Sequence, residues 1–123
     1  MPAALMDGKA LAAEVREQLA VEVQRLAVTP RLHVILVGPK SDAKAYMQPL
    51  HKLCRQVGVE ASSTELHDNC SEDSLRTAIM QANDDPSVHG VLLQLPLPKH
   101  IDEAAVLKRI LLEKDVDGFS ARF

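Results

Sequence analysis

The sequence predicts an α/β fold of three layers, α/β/α, built on a mainly parallel sheet. Three observations predict it: short aliphatic runs typical of buried strands, segments of helical periodicity between them, and Gly or Pro at most junctions. Parallel strands need long crossover connections, usually helical, so this alternation indicates helices on both faces of the sheet. A chain of 123 residues, 46% of them hydrophobic, is large enough for one core.

The first half of the chain predicts two helices and two strands. Residues 8–27 carry apolar side chains at three- and four-residue steps, which indicates an amphipathic helix. Residues 32–37 predict a buried strand. Asp42 is a suitable N-cap for a second helix that ends before Gly58. Residues 59–66 are more polar and predict a strand nearer an edge of the sheet.

The second half predicts a helix, a strand and a further helix. Ser71 caps a helix that runs to about residue 83, and residues 84–86 form a turn. Residues 88–95 predict the third strand, and residues 102–112 the fourth helix. In sheets of this kind, ligands bind beyond the carboxyl ends of the strands. The sequence therefore predicts a site at that edge.

Composition excludes several classes of partner. The formal net charge is −3 with no basic stripe, which argues against nucleic acid. No apolar run approaches the roughly 20 residues of a membrane span.

Cys54 and Cys70 are not a close-spaced pair, so we expect reduced thiols. They fit a cytoplasmic protein, or one in the mitochondrial matrix if a targeting peptide has been removed.

Motifs for nucleotides, metals and phosphotransfer are missing from the sequence. It contains no G-x-G-x-x-G, and residues 38–41 lack the first glycine of a P-loop. The five histidines show no metal-ligand spacing, so no metal is expected. Gly38 and Pro39 follow the first strand, where a receiver-like domain would carry acidic residues. That unrelated regulatory fold is therefore disfavoured.

Two segments carry a family resemblance. Residues 91–98 read Val-Leu-Leu-Gln-Leu-Pro-Leu-Pro, and residues 114–119 read Lys-Asp-Val-Asp-Gly-Phe. Together they resemble the bifunctional methylenetetrahydrofolate dehydrogenase/methenyltetrahydrofolate cyclohydrolase family. The resemblance covers nearly the whole chain and implies an amino-acid dehydrogenase-like N-terminal domain. Residues 1–123 would be its folate-binding catalytic domain, with the cofactor-binding Rossmann domain absent from this chain.

The resemblance implies a role in one-carbon metabolism. Such enzymes oxidise 5,10-methylenetetrahydrofolate with NAD(P) and hydrolyse 5,10-methenyltetrahydrofolate to 10-formyltetrahydrofolate. The substrate is thus a tetrahydrofolate derivative, and NAD(P) would act only through a domain absent here. A separate protein or domain is a further expected partner.

One catalytic position departs from the family. Its helix motif is Tyr-x-x-x-Lys, and this chain has Tyr46 followed by Leu50. Residues i and i+4 share a helix face. The resemblance implies that the family Tyr stacks on the flat ligand and that its Lys moves a proton. Leu50 has no titratable group. Lys52 points away on a regular helix, but Pro49 could alter the geometry enough for Lys52 or His51 to substitute.

Two polar residues complete the expected site. A Gln within an aliphatic strand needs partners, so Gln94 is either satisfied by backbone or orients a ligand or the catalytic Lys. Asp117 is either a turn residue or, as the family implies, the acceptor for the pterin amino and ring N–H groups.

Two hypotheses about function follow from these residues. The chain is the substrate domain of such an enzyme, or it is a catalytically inactive relative that acts as a folate-binding or protein-interaction domain. The first is the main prediction and rests on Tyr46, Gln94 and Asp117 at one rim, while the second is the alternative and rests on Leu50 and Pro49.

Overall fold

A three-stranded, all-parallel sheet with the strand order β2-β1-β3 organises the domain. The computed structural model describes residues 7–118. Its elements in chain order are α1 (Gly8–Gln24), β1 (Arg31–Val37), α2 (Lys40–Val57), β2 (Glu60–Leu66), α3 (Glu72–Asp84), β3 (Gly90–Leu93), α4 (Glu103–Leu107) and a 3-10 turn (Leu112–Lys114). The predicted α/β class and parallel sheet are confirmed.

The central strand β1 pairs with both neighbours in parallel. Val37 lies opposite Leu66 at the end of β2, and Ile35 lies opposite Leu93 at the end of β3. The carboxyl ends of all three strands therefore meet at one edge, which is where ligands bind in folds of this kind.

Apolar side chains of β1 alternate between two cores. Ile35 is fully buried against α3 and α4, while Val34 and Leu36 pack against α2. This alternation follows from the two-residue period of a strand. It places helices on both faces of the sheet, as the order of elements predicted.

Several predicted boundaries are wrong. Strand β3 spans Gly90–Leu93 instead of residues 88–95, so Gln94 follows the strand. Helix α4 ends at Leu107, because the chain turns towards a 3-10 turn before residue 112. Helix α2 begins at Lys40, with Pro39 at the N-cap position, so Asp42 lies in the first turn and does not cap it. Proline suits this entry because its missing N–H is one that a helix start leaves unpaired anyway.

Helix α1 forms where predicted but buries none of its residues. Leu11, Val15 and Leu19 on its apolar stripe are 56%, 44% and 43% exposed. They line an apolar groove of about 600 Å³ between α1 and the side of α2 that carries Leu53 and Cys54. None of the helices within residues 7–118 is both long enough and apolar enough to cross a membrane.

Pro49 lies inside α2, and the helix continues through it from Lys40 to Val57. Proline has no N–H, so it cannot donate the helical hydrogen bond to the carbonyl of Ala45. Its ring also crowds the preceding turn. Proline in the interior of a helix costs about 3 kcal/mol relative to alanine.

We expect Pro49→Ala to raise the free energy of unfolding by about 2 kcal/mol, after allowing for the greater freedom of the unfolded alanine chain. Pro49 is exposed, so the change should leave the core intact. Urea unfolding followed by circular dichroism measures it, with the exposed helical substitution Gln48→Ala as the matched control. A Pro49→Ala protein no more stable than the control would show that α2 bears no proline penalty.

Candidate functional site

A cavity of about 200 Å³ opens at the carboxyl edge of the sheet. It lies where β1 ends, where α2 begins and where the chain leaves β3. Its lining residues are Leu36, Val37, Gly38, Pro39, Asp42, Ala43, Tyr46, Gln94, Leu95 and Pro96. Small-molecule pockets usually measure roughly 300–1,000 Å³, so this cavity has room for one end of a larger ligand.

Tyr46 and Gln94 line this cavity together, although 48 positions separate them in the sequence. The backbone N–H of Gln94 donates to the carbonyl of Ile35 at 3.1 Å, which fixes the residue at the sheet edge. Within residues 7–118 its half-buried side-chain amide has no hydrogen-bond partner. The amide is therefore free to bind a ligand or water in the cavity.

Tyr46 presents a half-buried ring on the same rim. It packs partly against the Val34 and Leu36 side of the core. Burial raises the pKa of its phenol above the ordinary value, and the Asp117 carboxylate raises it further. The phenol therefore stays protonated at neutral pH, as an apolar platform with a hydroxyl at its tip.

Asp117 lies within electrostatic reach of Tyr46, because its carboxylate contributes to the raised pKa of the phenol. The residue is exposed overall, yet the surrounding chain removes enough water to raise the pKa of its carboxyl, and Asp115 raises that pKa further. Its carboxyl has no hydrogen-bond partner within the described chain. A partly desolvated, unpartnered carboxylate is suited to accept hydrogen bonds from a ligand.

Leu50 lies one turn beyond Tyr46 and packs against the buried cluster that includes Met47. It supplies apolar contact and no proton. Lys52 is exposed beside Arg55 and Gln56, away from the cavity. His51 is half-buried and does not line the cavity either. Since α2 is continuous through Pro49, neither residue takes the position of Leu50.

Sequence reasoning missed Asp42 as a site residue. The sequence predicts an N-cap there, whereas the structure places Asp42 in the first turn of α2, on the cavity wall. A Pro directly before a helix start was the available signal, because it moves the N-cap upstream. The segment from Leu95 to Pro96, joined by a cis peptide bond, forms the opposite wall.

The described residues do not fit a dinucleotide at this edge. A pyrophosphate would bind at the N-terminus of the helix after the first strand. Here Pro39 provides no N–H at the N-cap, and the Asp42 carboxylate would repel a phosphate. The missing glycine fingerprint also argues against NAD(P) binding in the first β–α turn.

Comparison with known proteins agrees with the geometry. Residues 6–117 match the family model described as "Tetrahydrofolate dehydrogenase/cyclohydrolase, catalytic domain". The chain belongs to this family. The match ends at Asp117, so it takes in each of the candidate residues Tyr46, Leu50, Gln94 and Asp117.

Curated relatives share close to half of their matched residues with this chain. The bifunctional protein FolD of Moorella thermoacetica is 46% identical over 123 residues, which are 98% of this chain and 44% of that protein. The FolD protein of Halalkalibacterium halodurans is 48% identical over 122 residues, 97% of this chain and 44% of that protein. The chain thus spans less than half the length of these relatives.

Solved structures show the same fold. The FolD enzyme of Campylobacter jejuni superposes with a TM-score of 0.85 at 39% identity, over 91% of this chain and 41% of that one. The 5,10-methylenetetrahydrofolate dehydrogenase of Bombyx mori gives 0.88 at 34% identity, over 96% and 42%. The Trypanosoma brucei enzyme, complexed with NADP and an inhibitor, gives 0.82 at 32% identity, over 95% and 41%.

Proposed function

We propose that this chain binds a reduced folate at the carboxyl edge of its sheet and, by itself, does not hydrolyse it. The observation that carries the proposal is the cavity that Tyr46 and Gln94 line together. The Asp117 carboxylate lies within electrostatic reach of the phenol. The family to which the chain belongs acts on folates in one-carbon metabolism. The relatives that it matches are more than twice as long as this chain, so folate binding and hydrolysis must each be measured on the chain itself.

Each of the three residues has a role in the proposed complex. The Tyr46 ring stacks on the pterin, and the Gln94 amide binds near the one-carbon unit. The Asp117 carboxylate accepts hydrogen bonds from the pterin amino and ring N–H groups, for which two parallel acceptors are the matching partner. The cavity holds the one-carbon end, while the rest of the folate lies across the open rim.

The proposed lack of hydrolysis rests on position 50, where the family motif has lysine and this chain has leucine. Hydrolysis of a methenyl bridge requires a proton acceptor and donor beside the attacked carbon. The helical position one turn from Tyr46 carries Leu50, which cannot take that part. Dehydrogenation needs NAD(P), which the first β–α turn does not fit and which would have to bind on another domain or protein.

Titration with a non-hydrolysable 5,10-bridged tetrahydrofolate, followed by calorimetry, tests the proposal. We expect saturable binding by the wild-type chain and no hydrolysis of methenyltetrahydrofolate above the buffer rate, monitored by its absorbance. Gln94→Leu keeps the shape of the side chain but removes the amide, and should weaken binding. A folded wild-type chain that does not bind this folate analogue at millimolar concentration would contradict the proposal.

A second candidate function is a protein-interaction domain. The apolar groove of about 600 Å³ beside α1 favours it, since Leu11, Val15 and Leu19 stay exposed there. In that case the family motifs would serve the fold alone, and the titration above would give no binding.

Cys54 and Cys70 are free thiols, which favours a reducing compartment such as the cytoplasm, or the mitochondrial matrix after removal of a targeting peptide.

A further inference from the structure

Lys114 joins the segment before Asp117 to the end of a helix that is distant in sequence. Its Nζ donates to the carbonyl oxygens of Ala82 at 3.1 Å, Asn83 at 2.7 Å and Asp85 at 2.9 Å. These carbonyls belong to the last turn and C-cap of α3, where a helix leaves acceptors unpaired. The helix dipole also favours a cation at this end.

The same segment is attached a second time, to β3. Asp115 forms a parallel bridge with Val91, so the chain there runs in the direction of the strand. Gly90 admits the Val116 side chain, because a Cβ at Gly90 would lie 2.6 Å from Val116 Cγ1. The Asp115 carboxylate then accepts the N–H of Gly118 at 3.1 Å, closing the turn around Asp117.

This direction explains how Asp117 reaches the site. Val91 is near the start of β3, and two further residues along a parallel path lead towards its carboxyl end. Asp117 itself makes no side-chain hydrogen bond within the described residues. Its position within electrostatic reach of Tyr46 therefore depends on the attachments of its neighbours.

We propose that Lys114 is a positioning residue, which holds the turn that presents Asp117 to the folate site by binding the carbonyl end of α3. The expected effect on folate affinity rests on the proposed function. The attachment of the turn to α3 does not depend on it. α3 is a suitable support because Leu75 and Ile79 anchor it, fully buried, in the core.

A double-mutant cycle tests the inference. We expect Lys114→Met to weaken binding of the 5,10-bridged folate analogue roughly tenfold, a coupling typical of residues that act through one another. In an Asp117→Ala background the same change should have less than about a twofold effect, because the carboxylate to be positioned is gone. Lys108→Met, at an exposed lysine just after α4, removes the same charge and should leave affinity unchanged.

Two further variants keep the test independent of folding losses. Lys114→Arg retains a cation with several donors and should keep most of the affinity. Gly90→Ala disturbs the turn through Val116, with Lys114 intact, and should show the same dependence on Asp117. Equal losses of affinity with and without Asp117, in either Lys114→Met or Gly90→Ala, would overturn the inference.

A measurement without ligand separates this inference from the proposed function. NMR titration of the Asp117 carboxyl reports its surroundings directly. Releasing the turn returns the carboxyl to water, so Lys114→Met should lower the raised pKa of Asp117. Loss of the lysine charge alone would raise that pKa or leave it unchanged, and either result would overturn the inference even if no folate binds.

Discussion

Replacing Leu50 with lysine is expected to confer hydrolysis of methenyltetrahydrofolate on the chain, which by our proposal only binds it. Leu50 lies one helical turn from Tyr46 and packs partly against the apolar cluster of α2 and β1. A lysine there would keep its stem on this surface and direct its amine towards the cavity rim. Partial desolvation would lower the pKa of the amine towards neutrality, as a general acid and base requires.

The size of this gain follows from the chemistry. A positioned general acid or base contributes about 10²- to 10⁴-fold in rate. We expect the lower part of that range, since Gln94 is the one residue proposed to orient the new amine. The loss of methenyltetrahydrofolate absorbance measures the rate, and urea unfolding should show a cost of about 1–3 kcal/mol for the partly buried amine.

Two controls make the result specific. Leu50→Met changes the shape of the side chain without adding a titratable group, and should leave the rate at background. Leu50→Lys combined with Gln94→Leu should lose most of the gain if the amide orients the amine. Wild-type hydrolysis well above the buffer rate would contradict the prediction, because it would mean that another residue moves the proton.

The parallel sheet and the site edge were predictable from the sequence because both depend on strong local signals. Strand β1 ends in an aliphatic run at residues 34–37, and helical segments too long for hairpins separate the strands along the chain. The convergence of Tyr46 and Gln94 then follows from the rule that strand ends meet at one edge. No side-chain detail is needed for that step.

The end of β3 and the part played by Lys114 were not predictable in the same way. Leu95 resumes the aliphatic pattern of the strand after the polar Gln94, yet the strand ends at Leu93. Lys114 satisfies carbonyls about 30 positions earlier. A sequence pattern carries no signal for such a long-range contact, and an isolated lysine resembles any solvated surface residue.

Removing the Asp117 carboxylate should weaken folate binding about 10- to 100-fold, which is the range for a hydrogen-bonded charge lost from a binding site. Asp117→Asn is the sharper variant, because it keeps the size of the side chain and offers one acceptor oxygen in place of two. A substitution of the exposed neighbour Val116 would not serve as a control, because its side chain packs over Gly90. Glu113→Gln, exposed in the preceding turn, removes a carboxylate without touching the site and should leave affinity unchanged.

Acid pH supplies an independent check of the same residue. The folded-state pKa of Asp117 is raised by burial and by Asp115, so this carboxyl becomes neutral at a higher pH than an ordinary aspartate. Affinity should therefore fall as the pH drops through that raised value, while Asp117→Asn shows a flatter profile. The effect on stability has the opposite sign, because the folded state binds this proton more tightly than the unfolded state does. Ionised Asp117 therefore destabilises the folded state above its raised pKa, and this cost disappears as the pH falls below the pKa of the unfolded state. A decline in affinity on acidification that is equally steep in Asp117→Asn would assign the pH dependence to another group and remove Asp117 from the ligand's set of partners.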